Sequence, residues 1–221
     1  MLEKHMVINL KRGNYMMNLL ILAKEFSVPM AIVDYIPVFC FGIACFILMK
    51  SFTKEMNKAQ FALFACGTID VFLAGFLKAT YKLMYAANVC DFEALNNIFF
   101  PLQSIGFLLA GVGIIWYVLK NKKVYTLAVP PVFSGTFLFV GFMCGGLLLL
   151  DIALCIIARR MRKSWVMSLF IVSFVCSLCM GYLSSQDFAQ ASMNWIAEGV
   201  NVIGQGSLLA GVILLNKKLK A

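Results

Sequence analysis

Ionisable side chains recur inside the apolar stretches of this chain. They are Asp34, Asp70, Lys78, Lys82, Asp151 and Glu198. Three of them lie in one segment, GTIDVFLAGFLKATYKLM, at residues 67–84. A charge inside a membrane span is costly, so such charges pair, face a water-filled cavity, or mark the path of a substrate or proton. These residues are therefore the first candidates for ligand binding or transport.

A row of polar side chains follows one helical face of the last apolar stretch. Positions i, i+4, i+7 and i+11 share a face of an α-helix. Here they are Asn194, Glu198, Asn201 and Gln205. An earlier stretch carries Gln103 at the position equivalent to Asn201. Amides facing lipid find no hydrogen-bond partners, so the row is expected to face other helices or a cavity. Two interpretations stay open, a ligand site and hydrogen bonds that hold helices together.

Several kinds of chemistry have little support. The one histidine, His5, lies far from any apolar stretch, which argues against haem, His-ligated zinc and His-based catalysis in the membrane. Eight cysteines occur, mostly inside apolar stretches, and Cys176 and Cys179 form a lone CxxC that fits buried packing residues better than a metal site. We therefore predict no catalytic residue, no metal and no cofactor.

Composition places the chain in a membrane. Of its 221 residues 62% are hydrophobic and 13% are charged, whereas soluble domains are about half apolar and a quarter charged. The formal net charge is +9, but the basic residues cluster beside apolar runs, where they mark a cytoplasmic face rather than a nucleic-acid site. The fold class is thus an all-α multi-pass membrane protein, with the lipid bilayer as partner.

Apolar runs of sufficient length predict spanning helices at residues 29–49, 60–83, 96–119, 164–184 and 194–215. The stretch 124–158 crosses either once or twice. Basic clusters occur around Lys50–Lys58, Lys120–Lys123, Arg159–Lys163 and Lys217–Lys220. Seven spans with an outside N-terminus put all four on one face, whereas six spans divide them. The positive-inside rule therefore favours seven helices, with six as the alternative, in a plasma membrane, predicted to be bacterial, with a cytoplasmic C-terminus.

Depth along these helices predicts which charges meet. At about 1.5 Å per residue, Asp34, Lys78 and Glu198 fall in the outer half of the bundle, so Lys78 is expected between the two carboxylates. Lys82 is expected to reach the outer lipid headgroups. Asp70 lies about 12 Å deeper than Lys78 and has no predicted partner.

An internal repeat is the main organisational signal. NNIFFPLQSIGFLLAGV at 96–112 resembles NWIAEGVNVIGQGSLLAGV at 194–212, and LLAGV recurs in both. The prediction is a 3+1+3 bundle: a first three-helix unit at 29–123, a linker helix at 124–140 and a second unit at 141–221. Parallel repeats of this kind occur in transporters, including SWEET-type sugar carriers. The proline pattern and Pro-Gln signature of those carriers do not occur here, so the likeness is architectural.

The polar positions Asp34, Asp70, Lys78, Gln103, Glu198, Asn201 and Gln205 are the predicted ligand-binding residues. A transporter of a small polar or zwitterionic solute is the leading hypothesis. A lipid-modifying enzyme using carboxylates and a receptor or accessory subunit are the alternatives, with homo-oligomers or a membrane partner left open. Residues 1–28 form an N-terminal segment, in which 1–15 are interpreted either as translated upstream sequence before a start at Met16 or Met17, or as a basic amphipathic extension.

Overall fold

Long helices make up nearly all of the structure. The computed structural model describes residues 27–119, 135–183 and 191–219. The helices are α1 (Val28–Val33), α2 (Tyr35–Phe52), α3 (Lys58–Ala86), α4 (Glu93–Val118), α5 (Gly135–Arg160), α6 (Met167–Leu183) and α7 (Ala191–Leu219), with a 3₁₀ turn at Ser164–Val166. Within these ranges, six segments are long and apolar enough to cross a membrane, the first formed by α1 and α2 together. The prediction of a helical integral membrane protein is confirmed.

The observed spans match the predicted ones closely. They run Val28–Phe52, Lys58–Ala86, Ala94–Val118, Leu138–Arg160, Ser164–Leu183 and Met193–Asn216. Helix α5 is continuous from Gly135, so residues 135–140, assigned from sequence to a linker helix, belong to the same helix as 141–160. Residues 124–134 of that linker, and the N-terminal residues 1–15, lie outside the described part of the chain.

A break between α1 and α2 places Asp34 at a junction. The helix α1 is capped by Ser27, whose hydroxyl accepts a bond from the backbone N–H of Met30 at 3.4 Å. Pro37 lies in the first turn of α2, where a missing N–H costs nothing, whereas deeper in a helix it would clash with a carbonyl four residues earlier. A new helix therefore starts here, and the Asp34 side chain turns into the bundle with only 7% of its surface exposed.

Small residues bring neighbouring helices into close contact. A Cβ placed on Gly67 of α3 would lie 2.3 Å from the backbone nitrogen of Ala110 and 2.5 Å from the carbonyl oxygen of Gly106. Likewise, a Cβ on Gly146 of α5 would lie 2.3 Å from the carbonyl of Phe107. Glycine is required at both positions because the facing atoms are backbone and cannot move aside.

The contacts also fix the direction of each helix. Ser51 donates to Asn216 at 3.2 Å near the ends of α2 and α7, and the Phe52 ring contacts the Tyr117 ring at the end of α4, with centroids 5.3 Å apart. These residues share one end of the bundle with the basic side chains Lys50, Lys54, Lys58, Arg159 and Arg160, and we name it the basic end. The opposite end, which holds Asp34, Lys82 and Glu198, is named the cluster end.

Helices α4 and α5 run parallel. Phe100 contacts Phe139 with ring centroids 6.4 Å apart near one end of the pair. At the other end, the Arg160 guanidinium donates to the carbonyl oxygen of Val118 at 2.8 Å. Helix α4 therefore finishes at the basic end, whereas α5 starts at the cluster end. This arrangement matters for the membrane topology proposed below.

Much of the interior between the two ends is filled by apolar side chains. Phe41, Phe64, Phe107, Ile114 and Leu154 belong to one buried cluster that reaches the basic end. The buried hydroxyl of Thr68 is satisfied by the carbonyl oxygen of Phe64 on its own helix. Hydrophobic packing thus holds the bundle together below the cluster end.

Candidate functional site

Three charges from different helices meet at the cluster end. The Lys82 ammonium lies 2.9 Å from Asp34 Oδ2 and 3.0 Å from Glu198 Oε1. Asp34 is 7% exposed and Glu198 only 4%. Lys82 therefore joins the α1–α2 junction, α3 and α7 in one ionic cluster, which we call the Lys82 cluster.

The lysine in this cluster is not the predicted one. Lys78 was predicted to lie between the two carboxylates, and Lys82 was predicted to reach the lipid headgroups. Both predictions are wrong. Helix α3 continues to Ala86, beyond the predicted end at residue 83, so Lys82 lies a full turn inside the helix. Its side chain then points into the bundle at the level of Asp34 and Glu198.

Lys78 has a different neighbour. Its ammonium lies 3.9 Å from the ring centroid of Phe99 on α4, a cation–π geometry. The close packing of α3 on α4 at Gly67 and Gly106 explains this contact, because it brings the α4 ring within reach of the α3 side chain. Lys78 is thus a second cation, about 6 Å deeper than Lys82 along the helix axis.

Glu198 has unused hydrogen-bonding capacity. Its Oε1 accepts from Lys82, but its Oε2 is buried with no hydrogen-bond partner among the described residues. A buried carboxylate oxygen without a partner is costly. This oxygen is therefore where a donor from a ligand would gain most.

Hydroxyl groups flank the cluster. Thr80 donates to the carbonyl oxygen of Phe76 at 2.8 Å, so the 2.9 Å bond between Thr80 and Tyr35 has the Tyr35 hydroxyl as donor. Tyr81 donates to Asp91 at 3.2 Å in the loop beyond α3. Sequence analysis missed the tyrosines and Thr80; the only available signal was their position beside Asp34 and Lys82.

The other predicted site residues lie deeper. Gln205 is two helical turns below Glu198, about 10 Å along α7, and its Oε1 is also buried without a hydrogen-bond partner in the described structure. Asn201 lies between them on α7 and is half-buried, as is Gln103 on α4. The polar face of α7 therefore continues inward from the Lys82 cluster.

Asp70 is not brought to this cluster. It lies twelve residues from Lys82 on α3, about 18 Å along the axis. It is half-buried. Around the helix circumference, it lies between the exposed Leu73 (43%) and the buried Val71 (5%). Its carboxylate has no ion pair within the residues that the structure describes.

An aromatic pair lies below the cluster. Phe41 and Phe107 are buried and meet edge to face with ring centroids 5.9 Å apart. Phe41 is about 10 Å below Asp34 by helical rise. The ring pair therefore lies in the interior between the Lys82 cluster and the basic end.

The site contains oxygen and nitrogen groups but no metal-ligand set. Among the described residues, no three His, Cys, Asp or Glu side chains come close enough to hold a metal ion. Comparisons with protein-family models, with curated proteins and with solved structures found no match.

Proposed function

We propose that this integral membrane protein transports a small polar or zwitterionic solute, which binds at the Lys82 cluster. The observation that carries the proposal is the free Oε2 of Glu198, a buried acceptor beside a buried ion pair. A solute ammonium would donate to Glu198 Oε2, and a solute carboxylate would take up a donor of Lys82 or Lys78. Charged groups held inside a membrane bundle are commonly parts of such pathways.

The deeper amides extend this site. Gln205 Oε1 is a second buried acceptor without a partner, on the same face of α7 as Glu198. A solute that moves inward along this face of α7 would pass Asn201 and then meet Gln205. The Phe41–Phe107 pair is buried at a similar depth, and we expect the two rings to separate when a solute passes.

The helix arrangement supports two parallel units. Helices α2, α3 and α4 form one unit and α5, α6 and α7 the other. The first helix of each unit contacts the last helix of the other, α2 with α7 and α4 with α5, and both contacts are parallel. This pairing is the one expected if a two-fold axis along the membrane normal related the two units, as in transporters built from parallel repeats.

The same arrangement supports a proposal of seven crossings. Because α4 finishes at the basic end and α5 starts at the cluster end, the chain between Leu119 and Gly135 must connect opposite ends of the bundle. We propose that this connection is the seventh crossing. The basic end is then cytoplasmic and the N-terminus outside, by the positive-inside rule, in a bacterial plasma membrane.

Reporter fusions test this topology. An alkaline phosphatase or fluorescent reporter fused after Lys123 and another after Lys163 should both report the cytoplasm. Reporters on opposite sides would contradict the seven-crossing proposal and support six.

A receptor or accessory role is the second candidate. It is favoured by the apolar core and by the pairing of Lys82 with both acids, which would stabilise a bundle that transports nothing. In that case, substitutions that remove the charges of the cluster lower the free energy of unfolding but leave any ligand response unchanged.

Ligand screening separates the two roles. Thermal stability of the purified protein is measured against a panel of amino acids, betaines and small amines, for wild type, Glu198→Gln and the control Asp91→Asn. Transport predicts a stabilising solute whose effect is lost in Glu198→Gln and kept in Asp91→Asn, because Asp91 is an exposed acid outside the cluster. A solute effect that survives Glu198→Gln contradicts the proposed site.

A further inference from the structure

A second buried acid lies at a distance from the Lys82 cluster. Asp151, in the half of α5 nearer the basic end, is 5% exposed. Its Oδ1 is buried without a hydrogen-bond partner in the described parts of the chain. It takes part in no ion pair among those residues.

Asp151 faces a cavity of about 230 Å³ between α5 and α6. The walls are almost entirely apolar, with Leu148, Ile152, Phe170, Ile171 and Phe174 among the lining residues. The other polar groups on the walls are Cys155 and Arg159. Asp151 is therefore the buried acid in a space whose walls are mostly hydrophobic.

The nearest cation on the same helix does not neutralise this carboxyl. Arg159 is exposed at the end of α5, eight residues from Asp151 and about 12 Å along the axis. On the facing helix, the lining residues Met167, Phe170, Ile171 and Phe174 carry no charge. A buried acid in such surroundings is costly unless a cation joins it.

We propose that this cavity is a second ligand site, for a hydrophobic ammonium cation whose charge pairs with Asp151. The apolar part of the ligand packs between α5 and α6, and the rings of Phe170 and Phe174 contact it. An enclosed cavity of about 150 Å³ is large enough to bind benzene; this one is larger and open on one side, so a phenyl ring with a short alkylammonium chain can enter it. The site is independent of the transport proposal, because it uses none of the residues of the Lys82 cluster.

The shape alone also suits the acyl chain of a lipid. Charge decides between the two, since a hydrocarbon chain would leave the carboxylate oxygen without a partner, whereas an ammonium would donate to it. An uncharged ligand with the same apolar part is therefore the informative comparison.

The probe is 3-phenylpropylammonium, with 3-phenylpropan-1-ol as the uncharged comparison. Apparent affinity is measured by thermal-shift titration of the purified full-length protein in dodecyl maltoside. The amine is expected to bind wild type at least about tenfold more tightly than the alcohol, since a charge-assisted bond is worth that much or more. Asp151→Asn should remove this preference.

Two controls show where the amine binds. Asp70→Asn and Glu198→Gln each neutralise another acid of the membrane region, and both should keep the preference for the amine. If Glu198→Gln removes it and Asp151→Asn does not, the amine binds at the Lys82 cluster and the second site is refuted. If no solute binds at the Lys82 cluster, the expected preference for the amine at Asp151 is unchanged. Failure of one proposal can therefore be distinguished from failure of the other.

A cavity-filling variant tests the site without changing the acid. Ile171→Trp places a larger side chain in the cavity from a lining position that is 54% exposed, and it should weaken amine binding about tenfold. Equal binding of amine and alcohol to wild type, or full amine affinity in Ile171→Trp, overturns the proposal. A selective loss of the amine in both Asp151→Asn and Ile171→Trp establishes it.

Discussion

Replacing Lys82 with methionine removes the cation that, among the described residues, pairs with both Asp34 and Glu198. Methionine keeps most of the apolar length of the side chain but leaves two buried carboxylates facing each other. Their nearest oxygens lie within about 6 Å of one another, because each is about 3 Å from the same nitrogen. At an effective dielectric constant of 20, each lost attraction is about 5–6 kcal/mol and the unmasked repulsion about 3 kcal/mol.

Desolvation of the lysine offsets part of this loss. Removal of one partner from a buried ion pair typically costs about 3–5 kcal/mol in the free energy of unfolding. For a chain of 221 residues, each kcal/mol shifts the melting temperature by about 2–4 °C, so Lys82→Met should lower it by about 10 °C. The assay is thermal unfolding of the detergent-solubilised protein, followed by tryptophan fluorescence.

Lys78→Met is the matched control, since it removes a cation one turn away on the same helix. Its cation–π contact with Phe99 is worth about 1 kcal/mol, so its melting temperature should fall by only about 3 °C. The triple variant Asp34→Asn, Lys82→Met, Glu198→Gln should recover much of the loss, because no uncompensated charge remains. Equal effects of Lys82→Met and Lys78→Met, or no recovery in the triple variant, would refute the assigned pairing.

Two further predictions concern the packing and direction of the helices. Gly67→Ala should destabilise the protein by about 1–3 kcal/mol, because the new methyl group meets the α4 backbone at 2.3 Å. The control Gly206→Ala, with nothing within 4 Å of the new methyl group, should be neutral or slightly stabilising. Equal melting temperatures of the two variants would contradict the close approach of α3 and α4. Ser51→Cys with Asn216→Cys, in a chain whose native cysteines are replaced, should form a disulfide on mild oxidation, since the native side chains are 3.2 Å apart. A second cysteine pair is placed at positions that would meet only if α2 and α7 were antiparallel. If that pair cross-links and the Ser51–Asn216 pair does not, the parallel arrangement of α2 and α7 is contradicted.

The spans were predictable because length and apolarity are properties of the local sequence. Five predicted helices match observed spans to within a few residues, and the sixth span, Leu138–Arg160, overlaps most of the second half of the stretch 124–158. The continuity of α5 from Gly135 through residue 141 could not be predicted from hydropathy, because the whole stretch is apolar and no charge marks a helix end. Hydropathy identifies apolar segments, but it does not locate the residue at which an apolar helix begins or ends.

The members of the Lys82 cluster were predictable only in part. Asp34 and Glu198 were expected near one another from their depth, and they do share a cation. The choice between Lys78 and Lys82 depended on the last turn of α3 and on the packing of α4, neither of which is encoded in the α3 sequence alone. One helical turn decides which lysine faces the acids, and tertiary packing sets that turn.

Asp151 illustrates a different limit. Its sequence position indicated a charged residue inside an apolar stretch, which fits a structural pair, a catalytic acid or a binding group equally well. Only the facing surface of α6 shows that the carboxyl has an apolar cavity in front of it rather than a basic partner.

Solute uptake into proteoliposomes tests the central claim most directly. A radiolabelled solute identified by the thermal-shift panel is offered to vesicles that contain wild type, Glu198→Gln or Asp91→Asn. The account predicts saturable uptake by wild type and by Asp91→Asn, with loss of uptake in Glu198→Gln at equal amounts of folded protein. Uptake by Glu198→Gln at the wild-type rate, or no uptake of any stabilising solute by wild type, would contradict it.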